Sequence, residues 1–186
     1  MPNKLIEALK EAVCFLDKNN YRYVLVGGLA NTFWGMVRAT RDIDLKVLIE
    51  EGKYKKFREK AYEEFKARSI PQETPLIVSV LASNSVGIDF LMTIPGYDII
   101  VFDRAVQSTI NNLKIWLCSL EDLIIYKAIA NREKDWLDIE RMLSEHIDKI
   151  DLNYVKKWLS QFVDALEKPE ILNRCITLYN KLKSPI

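Results

Sequence analysis

Residues 23–47 read YVLVGGLANTFWGMVRATRDIDLKV. The apolar run Tyr23–Val26 predicts a strand that is covered on both faces, because no charged residue interrupts it. Gly27 and Gly28 then allow a tight turn into a short helix, since neither carries a Cβ atom. A second strand begins with Asp42-Ile43-Asp44. The stretch therefore predicts a strand, a turn, a helix and a strand in succession.

Two features of this stretch point to a phosphate and a cation. Unpaired N–H groups at the start of a helix attract anions, and the bare backbone of Gly27 and Gly28 lets a phosphate come close. Asp42 and Asp44 leave the same face of their strand, with Cα atoms roughly 6.5–7 Å apart. Two carboxylates that face a phosphate cradle call for a cation. We therefore expect a metal-assisted nucleotide site.

A third acidic residue, Asp89, lies in a predicted hairpin. Leu76–Ala82 and Val86–Met92 have the pattern of two strands around the turn residues Ser83-Asn84-Ser85. Asp89 has an apolar residue on either side. A carboxylate in that position is either a solvent-facing residue of a half-buried strand or a ligand brought into a site. Taken alone, the residue favours the first interpretation.

The order of these motifs resembles that of the nucleotidyltransferase superfamily, whose members share their palm domain with DNA polymerase β. Within it, the chain is similar to the AbiEii/AbiGii-type branch, the toxin halves of bacterial and archaeal toxin–antitoxin pairs. The positions that carry the resemblance are Gly27-Gly28-x-Ala30, Gly35, Arg38, Thr40 and Asp42-Ile43-Asp44-Leu45. The alternative interpretation is a pair of loop-capping aspartates on an ordinary α/β domain.

The resemblance implies an α+β (α/β) fold, with a mixed β-sheet palm flanked by helices and followed by a helical C-terminal part. We expect a palm domain over residues 1–118 and a helical region over residues 119–186 that packs on it and completes the site. The resemblance also assigns Asp89 as the third carboxylate. As a hypothesis, Asp42, Asp44 and Asp89 hold two Mg²⁺ ions, or Mn²⁺ instead, about 3.5–4 Å apart. Asp89 is also a candidate general base for the acceptor hydroxyl.

A second group of candidates follows Ser119. Lys127 stands on a predicted helix among apolar neighbours, where a lysine commonly covers apolar surface with its stem. By resemblance to the later AbiEii-type motifs, Lys127 and one aspartate of Asp135-x-x-Asp138 belong to the active site. Asp135 and Asp138 share a helix face, and the residues leave open which of them matters.

The predicted catalytic residues are Asp42, Asp44, Asp89 and Lys127. The predicted nucleotide-binding residues are Gly27, Gly28, Arg38, Thr40, Arg41, Lys127 and Asp138. Arg38 and Arg41 have a second interpretation, as counter-charges to Asp42 and Asp44.

The predicted reaction moves an NMP from an NTP to an acceptor hydroxyl and releases pyrophosphate. The resemblance implies an RNA acceptor, with tRNA 3′ ends as the substrate class of some members, and an antitoxin protein as partner. Small-molecule transfer to an aminoglycoside or a lincosamide is an alternative, as is nucleotidylation of a protein. The non-enzymatic alternative is an inactive nucleotide-binding partner protein.

Composition restricts the class of protein without naming a partner. The 186 residues suffice for one domain with a helical appendage, and 27 basic against 26 acidic side chains leave a net charge of +1. Three widely spaced cysteines favour a reduced, cytoplasmic chain, and no apolar run approaches the ~20 residues of a membrane span. The sequence thus predicts a cytoplasmic protein without membrane contact.

The remaining elements follow from apolar spacing. Helices are predicted over Asn3–Lys18, Lys53–Arg68 and Tyr97–Gln107, a strand over Leu113–Cys118, and helices from Ser119 onward. The second of these helices has seven basic and three acidic residues. A basic helix can steer nucleic acid by its phosphates, although such a run is more often a solvated face.

Overall fold

The computed structural model describes residues 3–35, 40–69 and 74–183, and it confirms the mixed α/β class. Seven strands form one sheet within these residues, and they are β1 (Tyr23–Val26), β2 (Asp42–Val47), β3 (Lys66–Ala67), β4 (Ile77–Leu81), β5 (Gly87–Met92), β6 (Val106–Ile110) and β7 (Leu113–Leu117). The described helices are α1 (Asn3–Lys18), α2 (Gly27–Phe33), α3 (Tyr54–Glu64), α4 (Tyr97–Asp103), α5 (Leu120–Ala130), α6 (Glu133–His146), α7 (Leu152–Leu166) and α8 (Glu170–Lys183), with a 3₁₀ turn at Glu51–Lys53.

The described residues form two compact units. The first consists of residues 3–30 and the described part of 40–118, and it holds the sheet with α1, α3 and α4. The second consists of residues 31–35 and 119–183, and it holds α5 to α8 with the second half of α2. The expectation that residues 119–186 complete the site stays a prediction.

The sheet of the first unit is mixed, with strand order β3-β4-β5-β2-β1-β7-β6. β2 lies between β1, with which it pairs antiparallel, and β5, with which it pairs parallel. β1 also pairs parallel with β7, and all four of its residues are buried. The predicted buried strand is therefore an inner strand of the sheet.

Alternating burial along β2 and β5 separates an apolar face of the sheet from a polar one. On the apolar face, Phe90 of β5 contacts Phe15 of α1 and Phe57 of α3, with ring centroids 5.7 and 5.5 Å apart. Each of these rings is almost fully buried, and burial of one such side chain contributes about 1.5–3 kcal/mol. The helices α1 and α3 thus cover one face, and the half-buried residues Asp42 and Asp44 lie on the other.

Two predicted helices are shorter in the structure than their apolar spacing indicates. The helix expected over Tyr97–Gln107 ends at Asp103, and Val106–Ile110 forms the edge strand β6 instead. β6 pairs with β7 across Asn111 and Asn112, both with positive φ, which matches a two-residue hairpin turn. The helix expected over Lys53–Arg68 ends at Glu64, because the next residues pair with β4 as strand β3.

The helices α5 to α8 pack on one another in the second unit. Ser119 caps α5, since its Oγ accepts a hydrogen bond of 3.2 Å from the Asp122 N–H. The buried Asp122 carboxylate accepts bonds of 2.6 Å from the hydroxyls of Ser119 and of Tyr154 in α7. The bond from Tyr154 ties α7 to the first turn of α5. Within the described part of the chain, no helix has both the length and the apolar character to cross a membrane.

Candidate active site

The three predicted metal-ligating aspartates lie on one face of the sheet. Asp44 of β2 and Asp89 of β5 are register partners in a parallel pair, so their side chains leave the same face with Cα atoms about 4.8 Å apart. Asp42 precedes Asp44 by two residues and is the register partner of Gly87. The tertiary structure thus brings Asp89 beside the Asp-x-Asp pair.

Two carboxylates of this face have side-chain partners that sequence reasoning did not include. Asp42 Oδ1 accepts a hydrogen bond of 3.1 Å from Arg68 Nη1, and Asp89 Oδ1 accepts one of 2.5 Å from the Ser79 hydroxyl. Ser79 is buried and lies directly opposite Asp89 in the β4–β5 hairpin. A hairpin centred on Asn84 pairs positions 79 and 89, so the predicted turn contained the signal for Ser79.

The glycine bend lies directly against the aspartate strand. Gly27 has φ +68°, and a Cβ atom at this position would overlap the Asp44 carboxylate. A Cβ atom on Gly28 would lie 2.7 Å from Thr40 Oγ1, which donates a hydrogen bond of 3.2 Å to the Asp42 carbonyl. Any larger residue at either glycine would therefore displace the side chains around the aspartates.

Of the two arginines predicted for this region, only Arg41 belongs to the described residues. Arg41 is exposed just before β2, and Arg38 lies outside the described residues. Their roles as phosphate contacts or counter-charges stay predictions.

The three aspartates offer the type of ligand atom that a divalent cation binds, and they offer it from one face of the sheet. Carboxylate oxygens are the ligands that Mg²⁺ and Mn²⁺ prefer. Residues 3–35, 40–69 and 74–183 contain no group of three or more His, Cys, Asp or Glu side chains gathered as a metal site. Because the three aspartates are not gathered as such a group, joint binding of one ion by all of them requires their side chains to move. Their shared role as metal ligands stays a prediction.

In the second unit, Lys127 forms a buried ion-pair cluster with both candidate aspartates of α6. Its ammonium lies 2.7 Å from Asp138 Oδ2 and 3.5 Å from Asp135 Oδ1. Asp135 also binds the Arg132 guanidinium, with Nε 2.5 Å from Oδ2. The side chain of Lys127 is only 7% exposed, so it does not extend along the surface toward solvent. Asp138 is the closer partner of Lys127, and Asp135 is shared with Arg132.

A residue that sequence reasoning passed over joins the same cluster. Asn31 is fully buried at the end of α2, and its Nδ2 donates a hydrogen bond of 3.0 Å to Asp138 Oδ2. Its Oδ1 is buried without a hydrogen-bond partner among the described residues. The sequence signal that could have pointed to Asn31 is a polar amide directly after the apolar residues Leu29 and Ala30 in the predicted helix. Whether this cluster serves nucleotide binding stays a prediction.

Comparison with known proteins identifies the family. Residues 3–184 match the family described as nucleotidyltransferase of unknown function (DUF6036). No curated protein sequence matches the chain.

The fold is similar to that of several solved nucleotidyltransferases. The crystal structure of an antigenic nucleotidyltransferase-like protein from Paracoccidioides brasiliensis superposes with a TM-score of 0.54 at 17% identity, covering 92% of this chain and 91% of that one. The lincosamide antibiotic adenylyltransferase LnuA, bound to lincomycin, gives 0.55 at 16% identity over 73% and 94% of the two chains. The antibiotic-resistance factor ANT(2'')-Ia gives 0.54 at 14% identity over 98% and 97%. These identities establish a common fold alone.

The family match covers nearly the whole chain, including the glycine bend and all three candidate aspartates. The protein therefore belongs to the DUF6036 family of nucleotidyltransferases and is an enzyme of that class.

Proposed function

We propose that the protein transfers an NMP from an NTP to an acceptor hydroxyl with the help of a divalent metal ion and releases pyrophosphate. The observation that carries this proposal is the register pairing of Asp44 with Asp89, on the face where the Gly27 bend contacts Asp44. Two carboxylates on adjacent strands therefore lie beside a bend whose backbone would meet the phosphates of the NTP. Asp42 supplies a third carboxylate on the same face.

In this proposal Asp42, Asp44 and Asp89 would hold two Mg²⁺ ions, with Mn²⁺ as the alternative metal. When bound, the metal supplies charge neutralisation of the phosphates and activation of the acceptor oxygen. In this proposal the backbone N–H groups of the bend meet the phosphates. The missing Cβ atoms of Gly27 and Gly28 leave the room that the side chains of Asp44 and Thr40 occupy beside it. Arg41 and Arg38 would add positive charge on the phosphates.

Asp89 is the proposed general base. The Ser79 hydroxyl engages its Oδ1, while its Oδ2 makes no hydrogen bond to a described residue. That second oxygen is thus the one available to accept the proton from the acceptor hydroxyl. The bond from Ser79 restricts rotation of the carboxylate, which favours a fixed geometry for proton transfer.

The resemblance to AbiEii-type toxins adds Lys127 and Asp138 to the nucleotide-binding residues. A lysine can act on phosphates as a point charge. The buried pair with Asp138 would then hold the ammonium in one position. This assignment, like an antitoxin partner and a cytoplasmic location, is part of the proposal.

The proposed acceptor is RNA, with tRNA 3′ ends as the substrate class implied by the resemblance. A small-molecule acceptor is the second candidate, because LnuA and ANT(2'')-Ia are antibiotic-modifying proteins of the same fold. Transfer to a protein partner is the third.

One experiment separates these acceptors. The purified protein is incubated with Mg²⁺ and each labelled NTP, together with bulk tRNA or with a panel of aminoglycosides and lincosamides. We expect label in the tRNA band, and no label with Asp44→Asn, whose fold stays intact by circular dichroism. Label only on an antibiotic or only on protein would replace the RNA proposal, and unchanged transfer by Asp44→Asn would remove the aspartate site.

A further inference from the structure

The order of strands separates two sides of the carboxylate site in the first unit. β1, which ends at the Gly27 bend, neighbours β2 on one side of Asp44, whereas β5 with Asp89 neighbours it on the other. Beyond β5 come β4 with Ser79 and then β3, which runs into Arg68. If the NTP phosphates lie against the glycine bend, the acceptor enters from the side of Ser79 and Arg68.

A cavity occupies that second side. Its volume is about 270 Å³, and its lining includes Arg58, Tyr62, Arg68, Thr74 and Ser79. We call it the arginine cavity. Because Ser79 lies on the strand next to Asp89, the cavity begins about one strand spacing, roughly 4.8 Å, from the proposed general base.

We propose that the arginine cavity binds a backbone phosphate of a single-stranded RNA acceptor and so delivers its hydroxyl to Asp89. The inference rests on the proposed function and names the acceptor subsite of that same site. It also assigns Arg58 and Tyr62 as binding residues that the sequence motifs do not include.

Counted over the part of the chain that the structure describes, the hydrogen bonds of the two arginines leave donors for a ligand. Arg58 Nη2 donates one bond of 3.1 Å to the Thr74 carbonyl, and Arg68 Nη1 donates one of 3.1 Å to Asp42. A guanidinium has five N–H donors in a planar fork that matches phosphate oxygens. No described lining residue is acidic. Among its described lining residues the cavity therefore holds two guanidinium groups, of which that of Arg68 also pairs with Asp42.

Tyr62 adds an aromatic surface beside this charge. It lies one helical turn after Arg58 on α3, so both side chains project from the same face. The residue is 44% exposed. An exposed aromatic next to cationic groups is the combination with which proteins bind single strands, because bases stack on the ring while phosphates meet the charges.

The same features argue against a cationic antibiotic at this position. Two guanidinium groups repel the ammonium groups of an aminoglycoside. A cavity of about 270 Å³ is also smaller than the ≈ 300–1,000 Å³ typical of pockets that enclose drug-sized ligands. It is large enough for one phosphodiester group, while the rest of a strand stays outside.

The test measures RNA binding apart from catalysis. A short fluorescein-labelled single-stranded RNA is titrated with protein and Mg²⁺ but without NTP, and its anisotropy is followed at several salt concentrations. We expect Arg58→Gln to raise the Kd about fivefold or more and to reduce the salt slope by about 0.7, the loss of one phosphate contact on a single strand. The matched control is Lys56→Gln, an exposed lysine of the same helix outside the cavity, which should change the Kd less than about twofold.

A second variant keeps the test independent of the Arg58–Thr74 bond. Tyr62→Leu retains an apolar side chain at an exposed site, and we expect it to raise the RNA Kd about fivefold with an unchanged salt slope, because stacking carries no charge. Equal Kd values for the wild-type protein, Arg58→Gln and Tyr62→Leu would overturn the cavity assignment, as would a wild-type protein that does not bind RNA. Failure of the proposed function has a different signature, namely RNA binding that depends on Arg58 without NMP transfer to any acceptor.

Discussion

The Ser79 hydroxyl donates a hydrogen bond of 2.5 Å to Asp89 Oδ1, directly across the β4–β5 hairpin. Both residues lie in the first unit, and Ser79 is only 3% exposed. A hydrogen bond to a charged group contributes about 1.5–3 kcal/mol. It is the only hydrogen bond that the Asp89 carboxylate makes with the described residues, so it determines how the carboxylate is oriented.

We expect Ser79→Ala to lower kcat for nucleotide transfer about tenfold or more with little change in KM for the NTP. The reason is that Asp89 loses its orienting donor while the glycine bend is untouched. Steady-state kinetics with the acceptor at saturation measure both constants. Ser108→Ala, on the edge strand β6 of the same sheet, is the control and should match the wild type. An equal loss in both variants would mean that Ser79 has no special role.

Gly27→Ala should abolish detectable transfer. The new Cβ atom would overlap the Asp44 carboxylate, and φ of +68° is unfavourable for alanine by roughly 1–2 kcal/mol. The matched control is Gly52→Ala, since a Cβ atom there meets no atom within 4 Å. We expect that control to keep wild-type activity and a melting temperature within about 2 °C. Wild-type transfer by Gly27→Ala would show that the bend tolerates a side chain and is not a phosphate cradle.

Metal binding has a readout that does not require activity. If the aspartates bind Mg²⁺, millimolar Mg²⁺ should raise the melting temperature of the wild-type protein, because a ligand that binds only the folded state stabilises it. Asp44→Asn should lose most of this shift. Asp103→Asn removes an exposed carboxylate of the same unit and should retain it. An identical Mg²⁺ shift in all three proteins would place the metal elsewhere.

The buried lysine of the second unit should be important for stability. Lys127→Met removes the buried ammonium that pairs with both Asp138 and Asp135. Breaking a buried pair in this way costs about 3–5 kcal/mol, which urea denaturation can measure. Lys149→Met, at an exposed position, should cost less than about 0.5 kcal/mol.

The double variant Lys127→Met, Asp138→Asn tests the cause of that loss. We expect it to be more stable than Lys127→Met alone, since the uncompensated charge is removed. If the single variant loses under about 1 kcal/mol, the cluster does not hold a charged lysine.

The protein should lose stability in alkaline solution through Cys175. Burial raises the pKa of this thiol from 9.0 to about 11. The folded-state pKa is higher than the unfolded one, so the unfolded chain loses this proton first as the pH rises. The stability that the protonated thiol contributes is therefore complete below about pH 9 and is lost as the pH rises through about 11. We expect Cys175→Ala to flatten the decline in unfolding free energy over that range by about 2–3 kcal/mol. The control is Cys14→Ala, which removes an exposed thiol and should decline as the wild type does.

Several features could be predicted because they depend on short-range patterns. The glycine bend, the alternation in β2 and the Ser119 cap each follow from a few neighbouring residues. The β4–β5 hairpin around Asn84 also follows from neighbouring residues, and its register predicts the pairing of Ser79 with Asp89. Strand β6 was missed although Asn111-Asn112 is a two-residue turn signal, because the apolar spacing of Tyr97–Gln107 also suits a helix.

The sequence by itself determined the local elements of this protein and the residue types of its site, since period and turn chemistry act over a few positions. Only the tertiary structure decided that β5 pairs parallel with β2, which makes Asp89 the neighbour of Asp44 from 45 residues away. The same holds for Arg68 at Asp42 and for Asn31 at Asp138. Such contacts depend on which remote segments pair and pack, and hydrophobic burial across the whole sheet and helix bundle selects those partners.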